Sequence, residues 1–316
     1  MAGADDLDVG RKRPSVRLAV ASVALAVGAL GATSSELGDG ATPLRDDAVA
    51  LGRPDVAPHR KRVQPRPAPL VPTVSATQRA WRYARRRGGQ VSLAVVDTKG
   101  RVRAFEGGRV YHSASVVKAM LLVAELRRLR DQGLPLDPVT EDLLAAMITW
   151  SDNDAADAIY SRVGDPGLVA VADMARMRDF SVAGYWGNAQ ITAIDMARFF
   201  SRVRGLLPRP YRKAGLGMLA SVVREQRWGL PRAARGRWSV YFKGGWRATE
   251  SGELVHQAAW LKHGKRDLAI AVLTDAQPSQ LYAIHTVRGI ANRLLGPRAR
   301  LGARRAPHAR ASRPRR

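Results

Sequence analysis

Three short clusters in the chain hold residue types that can do nucleophilic chemistry. In the first, Ser115-Val116-Val117-Lys118, two residues separate a serine from a lysine. Ser115 to Leu129 reads as a helix, which puts both side chains on one face with the serine at its start. A serine alkoxide is hard to form at neutral pH. The N–H groups and positive dipole end of a helix N-terminus favour a developing negative charge there. A lysine whose pKa is lowered by burial and by other cations can take the proton. Taken alone, the pair is also what an N-cap serine and an ordinary helical lysine look like. The second cluster, Ser151-Asp152-Asn153, falls in a break between two helices. Ser151 and Asn153 could point into a cleft there, yet all three types are favoured helix caps. The third, Lys243-Gly244-Gly245, ends a short apolar strand. Its glycines let a ligand come close to the backbone and its lysine supplies a cation; a plain strand-ending turn has the same composition.

The elements that must position these clusters follow from periodicity and turn signals. Val74 to Arg87 reads as a helix. Val91 to Asp97 and Val102 to Glu106 form a hairpin around Lys99-Gly100. Helices are expected over Ser115–Leu129, Glu141–Trp150, Asp154–Val163 and Ile194–Val203. Strands are expected over Val240–Lys243, Leu254–Lys262 and Leu268–Thr274, and a closing helix over Gln280–Leu295. The order is helix, two strands, a block of helices, three strands, helix. The strands can join in one five-stranded antiparallel sheet flanked by helices, with the middle helices as a second lobe and the cleft between them as the natural site.

The chain has 316 residues, 46% hydrophobic, and a net charge of +25. Eight of its 52 cations are lysine and the other 44 arginine, a bias that GC-rich coding also produces. Charge of this size suits nucleic acid, an anionic membrane or an anionic wall polymer. No cysteine is present, so disulfides, thiolate nucleophiles and zinc–thiolate sites are excluded. Arg11, Lys12, Arg13 and Arg17 precede an uncharged apolar run from Leu18 to Ala32, with Ala29-Leu30-Gly31 as small residues for cleavage. Residues 1–32 therefore read as a signal peptide or an uncleaved anchor, and either puts the rest outside the cytoplasm. Residues 33–73 read as a Pro- and Arg-rich disordered linker and 74–297 as the folded domain. Residues 298–316 read as a basic disordered tail; from Pro297 to Arg316 there are eight arginines and no acid.

In this order and spacing the three clusters resemble the S-x-x-K, S-D-N and K-x-G signature of class A β-lactamases and penicillin-binding proteins. Further stretches are similar to that family: YHSASVVKAM (Tyr111 to Met120), SDNDAA (Ser151 to Ala156), ITAIDMARF (Ile191 to Phe199) and VLTDA (Val272 to Ala276). The resemblance covers about Val74 to Leu295. It implies an α/β (α+β) fold of the β-lactamase/transpeptidase type with a reduced all-helical lobe. It implies Ser115 as the acylated nucleophile, Lys118 as base or proton relay, and Ser151 as the relay to the leaving nitrogen. Asn153 would bind the substrate amide and Lys118. Lys243 would hold Ser151 and attract a substrate carboxylate, beside Gly244 and Gly245. The backbone N–H groups of Ser115 and Trp246 would form the oxyanion hole. No metal or cofactor is implied.

Three departures bear on function. The family's β-lactamases carry a loop Glu that activates the deacylating water, but no Glu lies between Asn153 and Thr192. The acids there are Asp154, Asp157, Asp165, Asp173 and Asp179, and Asn188 is the amide nearest the expected end of that loop. Gly244 stands where the third motif usually has Thr or Ser. Ser151 follows Ser115 by only 36 positions, which suggests a trimmed lobe. The leading expectation is an exported serine hydrolase, a monomer, that forms an acyl-enzyme with β-lactams and deacylates slowly. The alternatives are a D,D-peptidase or transpeptidase acting on peptidoglycan, and a non-enzymatic penicillin-binding sensor or wall-binding module. A nucleic-acid partner rests on charge alone, and the export signal argues against it. Arg224, Arg227, Arg232, Arg235 and Arg237 cluster before the third motif, as a solvated face or as attraction for anionic wall polymer. Trp246 suits the floor of the cleft or the core equally, and His112 suits a strand end better than a catalytic base.

Overall fold

The computed structural model describes residues 72–296. The expectations for the N-terminal apolar segment, most of the linker and the basic tail fall outside the described residues. Five strands form one antiparallel sheet in the order β2-β1-β7-β6-β5. They are β1 (Gln90–Val96), β2 (Val102–Phe105), β5 (Ser239–Thr249), β6 (Gly252–His263) and β7 (Arg266–Gln277). The two groups of strands far apart in sequence meet where β1 pairs with β7, Leu93 opposite Val272. Six of the seven β1 residues are buried in succession, because this central strand is covered on both faces. Helices α1 (Val74–Ala84) and α8 (Gln280–Leu295) pack together, α8 lies against β6 and β7, and α5 (Ala193–Leu206) packs on β1, β6 and β7.

The second lobe is built around α2 (Lys118–Asp131), which is buried without interruption from Lys118 to Leu126. A helix apolar on all sides belongs at the centre of a bundle. It packs against α4 (Asn153–Ala175) and α6 (Arg212–Ala220), and α3 (Pro138–Ala145) packs on α4. Asp137 caps α3, Thr192 caps α5 and Ser279 caps α8, each accepting from a backbone N–H three residues on.

Every expected strand and helix is present, with instructive differences at the edges; β5 continues past the expected end at Lys243 to Thr249, so Lys243-Gly244-Gly245 lies inside a strand paired with β6 and is not a strand-ending turn. Helix α4 runs twelve residues beyond the expected Val163, across a break at Gly164 (φ 58°, ψ −170°). Gly164 interrupts the helix and Pro166 restarts it, since proline fits a first turn that needs no N–H donor. The helix expected over Glu141–Trp150 changes character midway: Ala146–Trp150 is a wider π turn. Ser115 lies in a short 3-10 turn, Ala114–Val117, and the α-helix proper starts at Lys118, not at Ser115 as its sequence suggests. A small second sheet of β3 (Val110–His112) and β4 (Gln190–Thr192) was not expected, three residues being too few to show a period. The same holds for the short α7 (Leu230–Ala234).

A buried carboxylate ties the lobe together. Glu125 on α2 is fully buried and accepts from Arg128 at 2.7 Å and from Arg162 of α4 at 3.2 Å. Removing one partner of such a pair leaves buried donors unmatched. Glu125→Gln is expected to lower unfolding free energy by about 1–3 kcal/mol, the worth of lost charged hydrogen bonds. Arg109→Gln, which breaks an exposed pair with Glu106, should cost less than about 1 kcal/mol. Urea denaturation of the two variants makes the comparison.

Candidate active site

The three clusters distant in sequence converge where the helical lobe meets the edge strand β5. The π turn at Ala146–Trp150 delivers the chain into Ser151 with left-handed backbone angles (φ 65°, ψ 33°). A non-glycine residue there costs energy and is kept by its surroundings. The turn aims the carbonyls of Ser151 and Asp152 back at α2. Lys118 Nζ donates to Ser151 O at 2.7 Å, to Asp152 O at 2.9 Å and to Asn153 Oδ1 at 2.7 Å. From the opposite side, Lys243 Nζ donates to Ser151 Oγ at 2.9 Å and to its neighbour's carbonyl, Gly244 O, at 3.0 Å. Asp152, the middle residue, caps α4 by accepting from Ala155 N at 2.7 Å. Both readings of the second cluster therefore hold: the aspartate is the helix cap, and its two neighbours face the lysines.

Both lysines are fully buried. Burial pulls the Lys118 pKa down to about 8, while the charges of Asp152 and Asp157 hold it partly up. Burial takes the Lys243 pKa well below its usual value, and the charge of Lys118 adds to that effect.

Ser115 is partly exposed in its 3-10 turn, following Ala114 with a strained positive φ of 43°. Strand β5 passes directly against this turn. A Cβ on Gly245 would sit 2.7 Å from Val116 N and 2.8 Å from Ser115 N. No larger residue fits without displacing the Ser115 turn, so this glycine is required by close approach. Gly244 is different. A Cβ there would have its nearest neighbour, His256 O, at 3.6 Å, an ordinary contact. The missing hydroxyl is thus not excluded by space. Trp246 is half-buried and packs against the hydrophobic core.

Sequence reasoning missed the residues that brace the turn. His256 on β6 lies opposite Gly245 in register and is fully buried. Its Nδ1 accepts from Thr274 N at 3.2 Å, which leaves the proton on Nε2 to be donated to His112 O at 2.9 Å. Burial pushes its pKa down to about 4. His112 ends β3 and is exposed, as expected of a strand-end residue. Next to it, Ser113 is buried and donates through Oγ to Trp186 O at 3.0 Å and through its N–H to Ala189 O at 2.7 Å.

Trp186 belongs to the loop of residues 176–190, where the family's catalytic Glu would lie. Its ring centroid is 4.6 Å from Lys118 Nζ, and its Nε1 donates to Asp157 at 2.7 Å. The loop is pinned by aspartates. Buried Asp195 accepts from the N–H groups of Arg178 and Asp179, and Asp165 from Gly184 N. Arg247 on β5 reaches the loop's far end at Asn188 Oδ1, 2.9 Å away. Among the described residues no group of three His, Asp or Glu side chains is arranged to hold a metal.

This fold, with a buried lysine pair about Ser151 and a serine turn against a glycine of the edge strand, defines a class of serine-dependent acyl-transfer domains. The family model described as the beta-lactamase enzyme family matches residues 138–296, and the chain belongs to that family. The matched span starts after Lys118 and takes in Ser151 and Lys243. A β-lactamase of Sphaerobacter thermophilus is 20% identical with a TM-score of 0.59, covering 70% of this chain and 96% of that one. One of Chitinophaga pinensis is 14% identical with a TM-score of 0.61, covering 70% and 96%. An ancestral class A β-lactamase is 21% identical with a TM-score of 0.57, covering 70% and 98%. At such identities the likeness is one of fold. No curated protein matches the chain.

The brace at His256 has a consequence for pH. A histidine neutral in the fold but protonated when unfolded destabilises the fold as pH falls below the unfolded pKa of 6.5. Stability should fall between about pH 6.5 and about pH 4 and lose no more to this group below that. The loss is on the order of 3 kcal/mol. Urea midpoints recorded against pH for the unaltered chain and His256→Asn check this: the variant, which cannot titrate there, should show a flatter profile over that window.

Proposed function

We propose that the chain is an exported serine hydrolase that forms an acyl-enzyme on Ser115 with β-lactams or related amides and deacylates slowly. The observation that carries the reading is the convergence of Lys118 and Lys243 on Ser151, beside a serine turn packed on Gly245. In this reading Lys118 takes the proton of Ser115 Oγ as that oxygen bonds to the amide carbon. The backbone N–H groups of Ser115 and Trp246 bind the oxyanion. The C–N bond then breaks, and the nitrogen receives a proton through Ser151 Oγ. That oxygen accepts from Lys243, so its own hydrogen is free to be passed on. Asn153 holds both the substrate amide and Lys118.

Lys118 makes three hydrogen bonds to oxygen acceptors, which is the complement of an ammonium. It acts as a base only in its neutral form, so acylation rises with pH up to about 8. Slow deacylation is supported by the face of Trp186 over Lys118 and by the absence of any Glu from Asn153 to Thr192. Asp157, the loop-side carboxylate whose charge reaches Lys118, is engaged by the Trp186 indole. The same features favour a second reading, a D,D-peptidase or transpeptidase on peptidoglycan, in which an amine or water resolves the acyl-enzyme without a loop carboxylate.

Two outcomes are expected. Rapid mixing with a chromogenic cephalosporin should give a burst followed by slow turnover, with burst rates rising towards pH 8; intact-mass analysis should find the adduct, and Ser115→Ala should form none. A positioned general base is typically worth roughly 10²–10⁴-fold, so linear fast turnover without a burst would contradict slow deacylation. For export, the basic cluster Arg11–Arg17 before Leu18–Ala32 is the support. A reporter that works only in the cytoplasm, fused after the first 73 residues, should stay dark.

A further inference from the structure

A cavity of about 900 Å³ lies beside the cleft and has no part in acyl transfer as described above. Its walls are residues 220–228, α7 and the start of β5. Arg224, Arg227, Arg232 and Arg235 line it against the single carboxylate of Glu225. Arg224 and Arg235 are exposed, and neither side chain makes a hydrogen bond or ion pair among the described residues. Arg227 is half-buried, with its guanidinium 5.3 Å from the Phe242 ring centroid and Nη1 donating to Ala220 O at 2.9 Å. Burial and the charge of Arg235 both lower the Arg227 pKa, so these two cations repel across the cavity. Guanidinium groups that gather around a concave surface with one acid among them attract anions strongly.

Two walls of the cavity belong to segments that run on to, or are bonded to, the cleft residues. Tyr241, in its wall, precedes Lys243 by two residues on β5. Alternation puts both side chains on one face of the sheet, about 7 Å apart along the strand. The other wall is fastened to the residues just before Ser151: Val223 N donates to Thr149 O at 3.1 Å and Gln226 Nε2 to Trp150 O at 2.9 Å. Trp150 itself is 68% exposed.

We propose that this arginine-lined cavity is an anion-binding subsite continuous with the catalytic cleft, and that the substrate is a polymer whose repeated phosphate or carboxylate groups lie across it while its amide reaches Ser115. The assignment of substrate rests on the hydrolase reading; the anion binding does not. A small β-lactam occupies only the cleft, so its reaction with Ser115 is independent of the cavity.

The test is titration of the full chain at low ionic strength with linear polyphosphate and, separately, with polyglutamate. Whichever polymer binds identifies the anionic group, and added salt should weaken its binding. Arg224→Glu with Arg235→Glu should reduce its affinity at least tenfold, and Arg224→Gln with Arg235→Gln should reduce it less, in the same direction. A charge-matched control, Arg79→Glu with Arg82→Glu on α1, should bind nearly as the unaltered chain does. Acylation of Ser115 by a penicillin should proceed equally in all of them. Failure of both polymers to bind, equal losses in the control pair, or unchanged affinity in the cavity pair would overturn the proposal. A penicillin that fails to label Ser115 in the unaltered chain, with polymer binding intact, would remove the hydrolase reading and leave the anion site standing.

Discussion

Two buried lysines meet at one serine, and the packing of the helical lobe on the sheet depends on keeping both supplied with acceptors. Taking a lysine out of water costs several kcal/mol unless acceptors replace the hydration shell. Lys118 comes from the central helix of the lobe and Lys243 from the edge of the sheet, and both find acceptors in the turn at Ser151. That turn can offer two consecutive carbonyls, a hydroxyl and an amide only because the preceding helix widens and the backbone enters the left-handed region. The strain at Ser151 and the burial of the lysines are each sustained by the other. The same contacts set how the helical lobe sits on the sheet.

The Ser115 turn depends on a second set of constraints, all of them short-range. Gly245 admits the strand to the backbone of Ser115 and Val116. His256 holds the end of β3 from beneath, and Ser113 ties the turn to the loop that carries Trp186. That loop is pinned to the lobe through Asp165 and Asp157 and to α5 through Asp195. Two of the five aspartates between Asn153 and Thr192, Asp157 and Asp165, are therefore already engaged in shaping the loop. An indole stands against the buried lysine. The cleft thus brings two lysines to Ser151 and sets an aromatic wall beside Lys118.

The arginine excess also sorts itself by location. Arg128 and Arg162 pair with the buried Glu125 and belong to the architecture of the lobe. Arg247 spans from β5 to the loop. The group around the cavity, at the start of β5, stands with the single carboxylate of Glu225.

The order and type of most long elements were legible in the chain, because a fully buried strand and an apolar helix each leave a run of many residues; the nine residues of α6, two of them glycines, were not. The five-stranded sheet could be inferred from its two groups of strands, and the signature clusters named the residues that converge. The short pieces were not legible. β3 and β4 hold three residues each, and the π turn and the 3-10 turn break a helical period that looks continuous in sequence. The roles of Trp186 and His256 left no local signal, since a lone aromatic or histidine looks the same in core or cleft. By itself the sequence determined which residue types are available and along which elements they lie: Ser115, Lys118, Ser151, Asn153 and Lys243, with no Glu between Asn153 and Thr192. Only the tertiary structure decided that both lysines are buried, that Asp152 is a cap while its neighbours face inward, and that an indole covers Lys118. The reason is physical: burial, charge coupling and close approach arise between segments far apart in the chain, and no spacing along it encodes them.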